Sequence, residues 1–582
     1  MKSISNLFFF SIILIAWFSC AKQSSPMGGP KDEDPPILLE TNPENNSINT
    51  KPREINLTFN EYVALDNPTK QIIITPRVKV DEVEFLAIKN RINIKLNQEL
   101  EDETTYVFNF QKSLQDITEK TPAENLKLVF STGATIDSLS ISGKIAYILP
   151  PKEDKLEDIL VGLYPDNDTT DLFTTPPYYI SQADTAGNFS ITNIKSGIFR
   201  MYAWHDENNS LKAEYRNEAY GFYPESVNIT ENISGIHINL FKGDLSDLKI
   251  NRSSTSGTNY DIVLSKSPLT YEVEHDDIGI NMFYRLDDKI IRIYHKTIKN
   301  DSTAVKLLLR DSVGLSVDTT LYAKFEPSDR KSEDLETSVN SGLSFLNSIK
   351  SEWKFNKPVD YINFDSLFIK YDTAAIIPIK VENIHFSDSS KRTTLIMDLF
   401  IPDSLTFEIY TIYAGDSSIR DVEGVFNKEP IKANYKKLKQ DRLADGVSGK
   451  VHTEELPILL QLINDKNELI KELYLEEKNT YQFSKIEAGD YKIRAIIDRN
   501  RNKRWDPGNY FENRQPEPIY FYYDREKETD EFILKGGWLL NEVDIYPRPE
   551  TGLYQDKQEI MPEIEQPNPN DGKTDDNKDK TN

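Results

Sequence analysis

Apolar and polar residues alternate one for one along most of this chain. "EINLTFNEYV" (54–63), "QIIITPRVKV" (71–80), "RINIKLNQEL" (91–100) and "TTYVFNFQ" (104–111) each put every second residue on an apolar face, and Asn, Asp, Gly or Pro follows within a few positions. A period of two with such punctuation predicts short half-buried strands joined by tight turns. Helical spacing is scarce. Its best instance is "SEDLETSVNSGLSFLNSI" (332–349), where Leu335, Val339 and Leu343 recur every four residues, and this predicts a linking helix between domains. The expectation is an all-β chain of tandem sandwiches.

Two internal matches set the domain layout. "GNFSITNIKSGIFRMYAWHDENN" (187–209) runs without gaps against "NTYQFSKIEAGDYKIRAIIDRNR" (479–501), pairing Phe189 with Tyr481, Ile194 with Ile486, Gly197 with Gly489 and Asp206 with Asp498. Pro224 and Glu225 keep that spacing with Pro516 and Glu517, and "ISGKI" at 141 and "VSGKV" at 447 head the two copies. More weakly, 57–76 matches 353–372, and "QKSLQDI" (111–117) matches "DSSIRDV" (416–422). A period of about 300 residues means paired domains in tandem, since solenoid repeats run to a few tens of residues. The boundaries that follow are 36–134, 138–243, a middle β segment at 246–330, the linker at 332–349, 350–440 and 443–547.

The ends of the chain have different compositions. Lys2 precedes "LFFFSIILIAWF" (7–18), then Ser19 and Cys20, which reads as a charged n-region, a short h-region and a small residue before a cleavage point. The apolar run is too short for a membrane-spanning helix. Cys20 is the only cysteine, which excludes an internal disulfide and a two-cysteine metal site. Its position resembles a bacterial lipobox, which implies acylation of Cys20 and removal of residues 1–19. Residues 20–35 are a Gly, Pro and charge-rich tether, and 548–582 hold too few apolar residues to fold. "PMGGPKDEDPP" behind Cys20 and ahead of a strand-rich domain resembles Bacteroidetes lipoproteins that carry a bacterial Ig-like domain of the S-layer-associated type. Residues 138–243 and 443–547, with the opening "SGK" strand and the "F-x-I-x-x-I-x-x-G-x-F" turn, resemble transthyretin-like sandwiches of the carboxypeptidase-regulatory type. These resemblances imply an outer-membrane lipoprotein. Because the acidic run "KDED" lies well beyond Cys20, both the periplasmic and the surface face stay open.

Of the 582 residues, 38% are hydrophobic and 28% charged, and the net charge is -25. That balance suits folded soluble domains and argues against nucleic acid as a partner, which needs clustered Lys and Arg. Candidate chemistry is sparse. The six histidines, His205, His237, His275, His295, His385 and His452, fall into no metalloprotease or nucleophile motif. No catalytic residue is therefore assigned, and the chain is read as a non-enzyme without a cofactor, calcium being the one open exception. In "DRNRNKRWDPGNY" (498–510), Asp498, Asn500, Asn502 and Asp506 stand at positions one, three, five and nine of a calcium loop. Position six is Lys503 where such a loop needs Gly, and Arg499, Arg501 and Arg504 crowd the site, so an Asx-rich turn competes with the metal reading and is favoured. The sister loop has Asp206, Asn208, Ser210 and Glu214.

Two further features bear on partners. Aromatics in Tyr510–Asp524 and Ala219–Glu225 can stack on sugars, although alternating aromatics more often fill cores. Asp followed by Ser or Thr recurs, placing Ser138, Thr169, Thr185, Ser302, Ser312, Thr319, Ser366, Thr373 and Ser404 in a pattern resembling an O-glycosylation acceptor, or else in ordinary turns. The resulting expectation is a lipid-anchored structural or protein-interaction module of the envelope, with carbohydrate capture at the cell surface as the alternative.

Overall fold

The computed structural model describes residues 34–547 apart from 124–125, 152–155, 298 and 440–441. Cys20, the leader, most of the tether and the acidic tail lie outside the described residues. The described chain is almost entirely β, as its alternation predicts. In Glu54–Phe59, Ile55, Leu57 and Phe59 are fully buried while Glu54 and Asn56 face solvent.

Five modules follow one another, each built on its own apolar cluster. The first packs a sheet ordered Leu38–Asn42, Glu54–Phe59, Arg91–Leu96, Val83–Ile88 against one ordered Ile73–Thr75, Thr105–Asn109, Lys127–Ser131. The fourth repeats that plan with Thr337–Val339, Ser348–Phe355, Thr394–Phe400 and Ile384–Phe386 in one sheet. Both add the same two-stranded ribbon, in which Val63 faces Asp116 and Val359 faces Asp421. The second and fifth modules also share a topology. In each, the "SGK" strand lies antiparallel to one neighbour and parallel to another. The shared glycine has a steric cause: a side chain on Gly143 would overlap the Ile236 carbonyl, and one on Gly449 would overlap the Val543 carbonyl. The third module is a separate seven-stranded sandwich over 250–325.

The helix expected over 332–349 does not form. Its place is taken by the strands Thr337–Val339 and Ser344–Phe345, which belong to the fourth module. The four-residue spacing misleads because only Leu335 is buried, while Leu343 is exposed. Gly342 also takes φ +85, and the Asn340 side chain is spent on Glu352 N and Lys350 O, contacts that tie the segment to a neighbouring strand.

Candidate functional site

In the fifth module, Asp498 ends the strand Gly489–Ile497 and is fully buried. Its Oδ1 accepts from Asn502 N (3.0 Å), and its Oδ2 accepts from Lys503 N and Tyr474 Oη (both 2.8 Å). Asn500 Nδ2 donates to Asp506 Oδ2 at 2.6 Å, Asn502 Nδ2 donates to the same oxygen, and Arg504 pairs with Oδ1 at 3.1 Å. The loop thus brings the four predicted residues together, but as donors and acceptors to one another. A dication here would need both Asn side chains turned so that oxygen, not nitrogen, faces Asp506. Among the described residues, no group of three or more His, Cys, Asp or Glu is placed to hold a metal ion.

A fifth residue, which the spacing did not single out, closes the loop. Buried Glu517 accepts from Arg499 N (2.8 Å) and Asp506 N (3.0 Å), and burial pushes its carboxyl up. The second module repeats the device: Asp206 accepts from Ser210 N and Leu211 N, while Glu218 accepts from Glu207 N and Glu214 N. Glu517 therefore corresponds to Glu218. The ungapped register holds to Glu214 and Asp506 and breaks before Glu218 and Glu517, so the pairing of Pro224 and Glu225 with Pro516 and Glu517 is corrected. Glu218 lies four positions after Glu214, and Glu517 eleven after Asp506, so the fifth module carries seven extra residues.

Those extra residues form a plug. Gly508 sits so close to Phe241 of the second module that a side chain there would collide with the ring. Asn509 Nδ2 (3.0 Å) and Arg514 Nη2 (2.8 Å) both donate to the Val313 carbonyl of the third module. Tyr510 enters an aromatic pocket edge-on to Phe173, Tyr202 and Phe222, with centroids 5.4, 5.7 and 6.0 Å away. Burial beside Tyr202 and Asp171 holds its phenol protonated well above the ordinary tyrosine range. Gln515 Nε2 and Asn513 Nδ2 donate to the carbonyls of Phe222 and Pro224. The Val313 turn is itself held by Asp311, which accepts from Val313 N, Gly314 N and Leu315 N and meets buried Lys266 at 2.6 Å. The aromatics at 510 and 219–223 are thus largely spent inside the molecule. Phe511, which stacks on Tyr215, stays exposed.

The histidines are dispersed over four modules. His205 Nδ1 meets Tyr147 Oη at 2.9 Å, and His452 pairs with Asp544 and stacks on Tyr546. The Asp-Ser/Thr positions lie on the surface, with Thr319 and Ser366 half-buried and the other seven exposed. Between the first and second modules runs an apolar groove lined by Ile72, Val78, Phe85, Pro177 and Leu211. No helix among the described residues is long and apolar enough to cross a membrane.

Fold and junction together define a string of interlocked β-sandwich modules. The first of these is attributable to a particular family, for residues 32–132 match the bacterial Ig-like domain. No curated protein matches the chain. Among solved structures, dimeric latent PorU from Porphyromonas gingivalis aligns at 9% identity and TM-score 0.22, over 60% of this chain and 45% of that one, less than half its length. BcpA, the major pilin subunit of Bacillus cereus, aligns at 10% identity and TM-score 0.12, over 69% and 98%. SGBP-B of Bacteroides ovatus, solved with a mixed-linkage heptasaccharide, aligns at 11% identity and TM-score 0.15, over 59% and 92%. At these scores the alignments carry no argument about this chain.

Proposed function

We propose that the protein is a non-catalytic, lipid-anchored structural module of the bacterial envelope, held to the outer membrane through Cys20. The observation that carries the structural half is the plug at 508–514, by which the fifth module grips the second and third. A chain that commits Tyr510 and the aromatic pocket around it to fixing its own modules against one another is built to hold a shape. The anchor half rests on the lipobox-like "LIAWFSC" (14–20) and on the membrane affinity that two or more acyl chains confer. The carbohydrate reading loses its main support, since Tyr510 faces Phe173 and Tyr202 and is not open to a sugar.

Metabolic labelling with an alkyne fatty acid tests the anchor: the wild-type chain should be tagged, and Cys20→Ser should lose both the tag and membrane fractionation. A Cys20→Ser chain that still sediments with membranes would overturn it. Protease treatment of intact cells, blotted for the fifth module, then decides which face of the membrane it occupies.

A further inference from the structure

The two Ig-type modules use the same pole differently. In the fourth module, the pole carrying Lys357 and the Val359–Asp421 pair is docked on the third. Buried Lys357 pairs with Asp421 and Glu423, Glu423 accepts from Asn259 Nδ2 at 2.9 Å, and Lys296 pairs with Asp360. That interface is polar and ionic. In the first module, the equivalent pole, around the Val63–Asp116 pair, bonds to no other module among the described residues and has a different surface.

Backbone and Asn60 side-chain hydrogen bonds gather four segments at this pole. Ile37 N donates to Asn60 Oδ1 (2.7 Å) and Asn60 N to the Ile37 carbonyl (3.1 Å); Ile117 N reaches the Tyr62 carbonyl (3.3 Å), and Val63 N the Lys89 carbonyl (2.9 Å). The side chains presented are Ile37, Tyr62, Ile88 and Ile117, each 56 to 59% exposed, with Lys89 and Lys120 exposed on the neighbouring turns. Several large exposed hydrophobics gathered at one point mark an interaction surface. The far pole is already occupied by the second module, through Arg77 N to the Tyr178 carbonyl (2.9 Å) and Tyr178 Oη to Glu101 (2.6 Å).

We infer that this pole of the first module rests in the interfacial layer of a lipid bilayer. The inference depends on the anchor reading above. It commits to lipid because the pole is where the chain arrives from Cys20, about seventeen residues before Ile37. Even fully extended, those residues span at most ~60 Å. In that reading the acyl chains are tethered within this distance of the near pole, while the far pole is covered by the second module. Tyrosine and isoleucine flanked by lysine suit the headgroup boundary, where an amphipathic ring and a snorkelling amine are both satisfied. In an acidic chain the driving force is apolar area and not a polybasic patch.

The test uses the full chain extracted from membranes, with acylation confirmed by mass, and reconstituted in vesicles of phosphatidylethanolamine with a minority of phosphatidylglycerol. An environment-sensitive fluorophore is placed at Ile88→Cys or Ile117→Cys, with Lys466→Cys in the fifth module as reference. Blue-shifted emission at 88 and 117, quenched several-fold more by lipid-borne nitroxide than at 466, is the expected result. Labels at 88 and 117 that stay as water-like as the one at 466, on chains that co-sediment with vesicles, would overturn the pole contact and leave the anchor standing. They would also redirect this surface to a protein partner. If mass shows no acylation, the anchor reading fails by itself. The pole is then read from unacylated chain on the same vesicles, where replacing Ile37, Tyr62, Ile88 and Ile117 by Ser must lower partitioning on the order of tenfold; no change overturns it.

Discussion

Glu218 and Glu517 perform the same task in two modules: each buried carboxylate straps an Asx-rich loop by accepting one N–H from just after the strand-ending Asp and another from the loop's far side. Between the donor at Asp506 and the strap at Glu517, only the fifth module makes room for a plug.

Removing the plug should loosen the fifth module's hold on the second and third without unfolding them, because the fifth module's core (Val447, Ile493, Phe532) lies elsewhere and the Ile148 contact with Leu459, Ile496 and Ile519 remains. Deleting 508–514, or the bulkier Gly508→Ala, should split one thermal transition into separable ones and open new protease sites. Tyr510→Ala should cost roughly 2–3 kcal/mol. Calorimetry of the full chain checks both.

The Lys266–Asp311 pair underlies the same junction from the third module. Both side chains are almost wholly buried, and Lys266 also donates to the Asp244 carbonyl at 2.7 Å. Lys266→Ala leaves Asp311 buried and unpaired, which costs roughly 3–5 kcal/mol. It should also displace the Val313 turn and weaken the plug. A double-mutant cycle with Asn509→Ala should therefore be non-additive.

Burial pushes the Glu218 carboxyl up to about 7, with the nearby Asp206 charge acting in the same direction. A folded-state value above the unfolded one means that protonation favours the fold. The stabilising contribution is complete below the unfolded value near 4.5 and is lost as pH rises through about 7. The melting temperature of the wild type should fall across that window relative to Glu218→Gln, which does not titrate. Parallel curves for the two proteins would refute the assignment.

The calcium reading of 498–506 is checked by stability. If Asn500 and Asn502 serve as donors to Asp506, adding calcium or a chelator should leave the melting temperature unchanged. Asn502→Asp should then be destabilising, because it sets one carboxylate against another. A calcium-dependent rise, enhanced by Asn502→Asp, would assign the loop to a metal.

Much of this architecture is legible in the sequence because burial on one face of a strand imposes a period of two, as in "EINLTF" and "RINIKL". The duplicated order is legible because paired copies keep residues of steric necessity, such as Gly143 and Gly449. The plug is not, since the chance recurrence of Pro-Glu at 224 and 516 hides a seven-residue shift. Two signals did point to it. "EAYGFY" (218–223) aligns with "EPIYFY" (517–522) once the shift is allowed, and Phe222, opposite Tyr202, and Phe521, opposite Arg494, then fall in equivalent pairings. The run Met201–Trp204 is continuously apolar because both sides of that strand are covered, whereas the fifth module has Arg494 at the corresponding place. The pole at Ile37 and Tyr62 is invisible in sequence, because it is assembled from four segments far apart along the chain.

The plug also sets how the molecule bears tension. Since the fifth module clasps the second and the third, a pull between the N-terminal and C-terminal ends travels through modules one, two and five, with the third held beside that path by the same clasp and the fourth outside it. Within the roughly two hundred residues between Asp244 and Arg442, the fourth module is slack in that load path, a reserve of length released only after the plug and the Ile148 contact with Leu459, Ile496 and Ile519 give way. The protein would then lengthen in one step under load before any sandwich unravels.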